Sequence, residues 1–294
     1  MKKRLYILLL FFTSHSIFAN ISEIEKSALV DLYNSTNGKH WTSPWDLSKP
    51  VSRWNGVKIE NNRVVAISLM NNHLVGELPN SLKNLKKLKV LNVAFNSIQG
   101  EIPKDIVLLE ELLVLRFGKN KFTGVIPKDI GNLKKLRILD LFSNQLFGEL
   151  PCSLMKIKNL KVISISDNFL TGHIPKELGE LKKLERLEVA GNNFEGIVPV
   201  EIGGLKNLSM LVLAENNLTG NFPSTIFSLP KLKVLQLQKN GFNKNHFRNN
   251  IPLESSFALF DYDDIDDKIE RRKFKDLYSN KDIRMADTKF EDNN

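Results

Sequence analysis

The sequence predicts an α/β solenoid, one elongated domain made of coils stacked edge to edge. The first observation is an unbroken period. Asparagine recurs at Asn72, Asn96, Asn120, Asn144, Asn168, Asn192, Asn216 and Asn240, always at the same interval from the last. Around each runs the frame L-x-x-L-x-L-x-x-N-x-L-x-G-x-I-P, as from Leu136 through Leu139, Leu141, Asn144, Leu146 and Gly148 to Leu150 and Pro151. A repeat of this length is one supersecondary unit, and no coil buries its own leucines without its neighbours. The second observation is apolar alternation just before each asparagine: Ile67 and Leu69, Leu91 and Val93, Leu115 and Phe117, Leu139 and Leu141, Ile163 and Ile165, Leu187 and Val189, Leu211 and Leu213, Leu235 and Leu237. That spacing fits a strand with one buried face. The third is punctuation after it: a glycine shortly beyond the asparagine, from Gly76 to Gly220, and then a proline, from Pro79 to Pro223.

Each part of the frame has a physical reason. One strand per coil, stacked in register at ~4.8 Å, makes a parallel sheet on the order of 35 Å long. The asparagine stands where the chain turns inward. Its amide both donates and accepts, so the eight form a structural ladder for backbone groups of adjacent coils. Glycine permits a tight bend or a close backbone approach, and proline discourages helix just before it. The apolar pattern that follows, such as Ile130, Leu133 and Leu136, predicts a short helical or 3₁₀ segment on the convex side.

Length alone would suggest two domains, but the unbroken period overrules it. Residues 1–19 read as a secretory signal: Lys2, Lys3 and Arg4, an apolar run from Leu5 to Phe12, then Ser16 to Ala19. That run is too short to span a bilayer. The mature chain is then secreted or periplasmic, with no transmembrane segment. Residues 20–63 form an N-terminal cap: a helix over 22–35 with Ile24, Leu29, Leu32 and Tyr33 facing the first coil, and a core of Trp41, Trp45 and Trp54. The solenoid spans 64–252, seven full coils and a partial eighth, closed by Phe242, Phe247, Ile251 and Pro252. Residues 253–294 form a charged tail in which acidic residues outnumber basic ones. A short helix around Ile265, Ile269 and Leu277 fits part of it, and disorder fits its end. Cys152 is the single cysteine, so no intrachain disulfide forms.

The G-x-I-P ending resembles the plant-type subclass of leucine-rich repeats, found in ectodomains of plant receptor kinases and in secreted polygalacturonase inhibitors. The resemblance runs from about residue 22 to 252. It includes Ala28, Leu29, Leu32 and Tyr33, the stretch Asn37 to Trp41, and Trp54-Asn55-Gly56-Val57. Plant members flank the last motif with cysteines; Ser52 and Ile59 stand there, so the cap disulfide is absent. Short secreted bacterial leucine-rich-repeat proteins with cysteine-poor caps are the more similar group. The resemblance implies a right-handed superhelix with one concave parallel sheet, and binding rather than catalysis.

No catalytic constellation emerges. His15, His40, His73, His173 and His246 are scattered without metal-ligand spacing, and no nucleophile elbow, phosphate loop or CxxC is present. The acidic run at 261–267 fails as a calcium loop: Ile265 takes a ligand position, Asp266 stands where glycine is needed, and Arg272 replaces the bidentate glutamate. No enzyme activity, cofactor or metal is expected.

Two surfaces are candidates for binding. The outward positions of the strands line the concave face, and its middle gathers Phe95, Arg116, Lys119, Asp140 and Phe142. An exposed aromatic beside charges has the composition of a binding hot spot. Toward the C-terminus the face turns acidic through Asp167 and Glu188. A two-signed surface favours a protein partner. The alternative site is a lateral edge carrying Lys86, Lys87, Lys134, Lys135, Lys158, Lys182 and Lys183, interrupted by Glu110 and Glu111. The whole chain carries a net charge of +9. The signal holds +3 of it and the tail −4, which leaves the stretch between them at +10. Such an edge would attract an anionic polysaccharide or cell surface. Nucleic acid is disfavoured, because no aromatic residues interleave with the lysines.

Overall fold

A computed structural model describes residues 21–243, 245–246 and 258–261. The expected signal at 1–19, the closing residues Phe247, Ile251 and Pro252, and the tail beyond 261 lie outside them.

Among the described residues, ten strands form the concave sheet. The first two, Val57–Glu60 and Arg63–Ser68, pair antiparallel. Parallel strands follow at Val90–Asn92, Val114–Arg116, Ile138–Asp140, Val162–Ser164, Arg186–Glu188, Met210–Val212 and Val234–Gln236. The register is constant: Ile67 opposes Leu91, Leu91 opposes Leu115, and so on to Leu211 opposite Leu235. Both residues of every predicted apolar pair are buried. The last strand, Leu259–Asp261, adds to Val234–Gln236. It lies beyond residue 252 and lacks the leucine frame, so periodicity does not reveal it.

The asparagine ladder has the expected chemistry. Asn168 Oδ1 accepts from Leu146 N–H at 3.1 Å, and its Nδ2 donates to the carbonyls of Leu141 and Ile165 at 3.1 and 3.0 Å. One amide thus joins backbone groups of successive coils, which are buried away from water. Asn192 and Asn216 repeat the pattern. Asn72 has no preceding coil; its Oδ1 instead accepts from Ser43 N–H in the cap at 2.7 Å.

After the asparagine each coil forms a second strand. These lie in a three-stranded sheet (Val75–Glu77, Ser97–Glu101, Lys121–Thr123) and a five-stranded one running from Phe147–Glu149 to Gly241–Phe242. The sequence predicted a bend or a close backbone approach at these glycines, and did not predict a second sheet. The glycines make the sheet by removing a side chain where the previous coil lays one down. A Cβ on Gly172 would come within 2.8 Å of Glu149 Cγ, and Gly172 has φ +80°, a backbone conformation that favours glycine. The 3₁₀ turns after the prolines appear as expected, from Asn80–Asn84 to Ser224–Ser228.

In the cap, a helix over Glu23–Ser35 is N-capped by Ser22. Its packed face is Glu25, Ala28, Leu29, Leu32 and Tyr33, while Ile24 is 65% exposed. Placing Ile24 against the first coil was therefore incorrect. One residue is about 100° of helix, and the inward position belongs to Glu25. Its carboxylate accepts from Arg63 Nε at 2.7 Å and from Val64 N–H at 3.0 Å, so a charged group satisfies the first long strand. Tyr33, Trp41, Trp45 and Trp54 pack as one aromatic array with centroids 4.8–6.1 Å apart. Their indole N–H groups donate to backbone carbonyls.

Asn168→Ala strands several buried backbone groups and is expected to cost about 3 kcal/mol. Asn72→Ala, with one inter-segment acceptor bond to lose, should cost about half that. Urea denaturation of both variants measures the difference; equal losses would show that the ladder does not couple coils.

Candidate functional site

The concave face is built from three rows, each advancing by one repeat per coil. Arg116, Asp140, Ser164 and Glu188 succeed one another in the first, at directly paired register positions. The second runs Ala94, Gly118, Phe142, Ser166, Ala190 and Ala214. The third precedes the asparagines and is left-handed throughout: Asn71, Phe95, Lys119, Ser143, Asp167, Gly191, Glu215 and Lys239 have φ between 52° and 62°. A bulky residue in this region costs about 1–2 kcal/mol, so Phe95 is held in a conformation it does not favour.

Phe95 and Phe142 meet although two coils separate them. Their centroids lie 5.8 Å apart with planes at 62°. The ring of Phe142 leans back across Gly118, where any Cβ would collide with it. Lys119 places its ammonium 5.4 Å from the Phe95 centroid, a cation–π arrangement. The structure thus joins Phe95, Lys119 and Phe142 into one cluster, and Gly118 is the enabling residue. Nothing in the frame marks it, though its place in a row of small residues is visible once the rows are laid side by side.

Asp140 and Glu188 were expected to face solvent, and both are buried, at 8% and 7% exposure. Neighbours one coil away, a strand spacing of ~4.8 Å, cover them from both sides. Glu188 is clasped by Arg186 through Nε at 2.9 Å and Nη2 at 2.5 Å, and Ser164 Oγ lies 3.4 Å away. Asp140 accepts from Phe142 N–H at 3.4 Å. Burial pushes its carboxyl up to about 6, against the opposing influence of that hydrogen bond and of the Arg116 charge. Asp167 stands apart from this cluster, with its carboxylate against Gly191, where a Cβ would lie 2.6 Å from Oδ1.

Known proteins share this architecture. Leucine-rich-repeat family models match residues 184–242, and 87–109, 135–157 and 159–181. A probable leucine-rich repeat receptor-like protein kinase of Arabidopsis thaliana is 37% identical over 94 residues, covering 31% of this chain and 10% of that protein. The chain therefore aligns with about a tenth of that relative's length. Among solved structures, PEPR1 with AtPEP1 superposes with a TM-score of 0.68 at 29% identity, covering 74% of this chain and 32% of that one. The Arabidopsis HAESA ectodomain, with an extended IDA peptide hormone ligand, gives 0.67 at 28% identity, covering 81% and 41%. A plant ice-binding protein gives 0.67 over 83% of this chain and 86% of that one; at 24% identity it shares the fold alone.

The chain is a plant-type leucine-rich-repeat protein.

On the lateral edge of this leucine-rich-repeat protein the lysines engage neighbouring coils. Lys135 bonds Glu111 at 2.6 Å, Lys183 bonds Asn159 at 2.7 Å and Lys231 bonds Asn207 at 2.8 Å. These residues share one row, Lys87, Glu111, Lys135, Asn159, Lys183, Asn207 and Lys231, in which lysine alternates with an acceptor. Glu111 is thus a partner in the series, and the return of lysine at every second coil was the signal for it. Lys158 bonds Glu180 at 2.5 Å, and Lys182 donates to the Gly179 carbonyl at 2.6 Å. The hydrogen bond from Lys135 holds the Glu111 carboxyl below its ordinary range, and that from Lys158 does the same to Glu180. Lys86, Lys87 and Lys134 are exposed on the same edge. Cys152 is exposed at the start of a 3₁₀ turn. Among the described residues no cluster of His, Cys, Asp or Glu could hold a metal ion, and no helix is long and apolar enough to cross a membrane.

The Asp140 shift has a definite sign. Between pH 4 and 6 the folded protein keeps a proton that the unfolded chain has released, so stability falls as pH rises through that window. Above it the buried charge costs the fold roughly 3 kcal/mol. Asp140→Asn should therefore gain about 2–3 kcal/mol at pH 7.5 and almost nothing at pH 4. Denaturant titrations at both pH values check this; a pH-independent difference would contradict it.

Proposed function

We propose that this is an exported, non-catalytic protein that recognises a protein or peptide partner through the Phe95–Phe142 region of its concave face. The observation that carries this reading is the aromatic cluster itself. Phe95 is kept in an unfavourable backbone conformation, and Phe142 reaches it only because Gly118 leaves space. Neither ring is needed to fill the leucine core. Binding surfaces retain such local costs where function requires them.

The buried carboxylate beside the cluster adds to the argument. Asp140 sits among Arg116, Arg186 and Glu188 at the base of the face. A partner presenting an aromatic or aliphatic side chain to the rings and a cationic group to Asp140 would meet both an apolar contact and a charge whose burial is already complete. Pre-organisation of this kind lowers the ordering cost of association. HAESA, similar over 81% of this chain and 41% of its own, was solved with a peptide hormone ligand. RGFR1, a plant peptide hormone receptor, is similar over 58% of this chain. Both support a peptide or protein as the ligand class. The lateral edge, proposed by its lysines as a site for anionic polymers, supports binding less well because Lys135, Lys158, Lys182 and Lys183 already hold acceptors of the protein itself.

Export rests on the composition of residues 1–19. N-terminal sequencing of the protein from its own host should find a chain beginning near Asn20, and a chain retaining Met1 would refute export by cleavage.

The binding reading is tested by affinity capture with the mature chain. Arg116→Glu combined with Phe142→Ala should remove the captured protein partner, with about 100-fold weaker binding as expected for the loss of two hot-spot residues. Lys134→Glu with Lys182→Glu should leave that partner in place. An unchanged partner after the first pair of substitutions would remove the concave cluster from consideration.

A further inference from the structure

The second sheet has an outward face that the binding reading does not use. In the five-stranded sheet Phe169 stands directly opposite Phe147, and the two are 59% and 52% exposed. Both point away from the core, since Leu170 between Phe169 and Thr171 is fully buried. Val125 extends the patch: its side chain lies over Gly148, where a Cβ would be 3.1 Å from Val125 Cγ1. At the phases of Phe169 and Phe147 the flanking coils carry polar residues, Lys121 and Thr123 on one side and Asn193 and Glu195 on the other. Adjacent large apolar side chains left open to water on a flat surface mark a contact.

The surroundings indicate its chemistry. The Phe169 row continues as Gln145 on one side and Asn193 and Asn217 on the other, and the Phe147 row as Thr123, Thr171 and Thr219. Charge enters these rows only at Lys121 and Glu195, although a quarter of the chain is charged. The outer row through Val125 carries the exposed carboxylates of Glu101 and Glu149, while the two rows through the rings offer mainly neutral donors and acceptors, repeated at the strand spacing of ~4.8 Å. That spacing is close to the length of one sugar ring in an extended chain.

We propose that this face binds a neutral, β-linked polysaccharide lying along the solenoid axis. Pyranose rings present a flat face of C–H groups, which are electropositive and suit the negative face of a phenyl ring. Their equatorial hydroxyls project sideways toward Gln145, Thr171 and Asn193, with Glu149 as a further acceptor at the register position opposite Thr171. The carboxylates of Glu101 and Glu149 in the outer row would repel an anionic polymer. The site is separate from the concave cluster, so the two readings stand or fall independently.

The test is native affinity electrophoresis of the full mature chain in gels containing hydroxyethyl cellulose, laminarin or polygalacturonate, at low and physiological salt. Retardation by a neutral polymer, unchanged by salt, is expected. Phe147→Ser with Phe169→Ser should weaken it at least about tenfold, ~1.4 kcal/mol, with Tm within a degree or two because both rings are exposed. Phe142→Ala should leave it unchanged. Absence of retardation in both neutral polymers, retardation only by polygalacturonate that salt abolishes, or retention undiminished in the double variant would each overturn the proposal.

Discussion

Stacking at a constant interval is the constraint on which the rest of the structure depends. Because every coil is the same length, a residue of the concave sheet has as its nearest inter-coil neighbour the one a single repeat away. Any requirement at one position therefore becomes a requirement on a whole row. The buried asparagines show this most clearly. Each bridges backbone groups of successive coils, so an insertion of one residue would separate the amide from its partners and turn the leucines outward. The first asparagine is the informative exception. With no coil before it, it is tied to Ser43 in the cap, and the cap thereby substitutes for the missing neighbour.

The same row logic governs the surfaces. Lysines on the lateral edge find acceptors because the row alternates, which converts a series of like charges into inter-coil bonds, each weakened by the solvent around it. On the concave face the rule is broken at a few positions. Gly118 interrupts a side-chain row and opens a path between Phe142 and Phe95. Asp140 places a carboxylate where its ionisation is costly. Departures of this kind, inside a frame that is otherwise consistent from coil to coil, are where a function is to be sought.

Much of the fold was legible because periodicity reports burial directly. The apolar pairs, the ladder and the 3₁₀ turns all follow from residues at fixed phase. Legibility failed where the deciding partner lies at another offset or outside the repeat. Ile24 looked like the inward residue of the cap helix, but Glu25 takes that position because Arg63 and Val64, far along the chain, supply its partners. The second sheet escaped notice since a glycine's role there is defined by a side chain of the preceding coil at a different phase, as Glu149 is for Gly172. The burial of Asp140 and Glu188 escaped it because alternation assigns them to an outer face, while the closeness of flanking strands covers that face.

By itself, the sequence determined the spacing of the coils, the residues of the common core and the existence of a variable inner surface, because these depend only on a repeat that must match itself. Tertiary structure decided which variable residues meet. The pairing of Phe95 with Phe142, the clasp of Arg186 on Glu188 and the exposed pair of Phe147 with Phe169 each join residues at separations other than the repeat length. Such contacts depend on how far a side chain leans across its neighbours, and that is set by the space those neighbours leave.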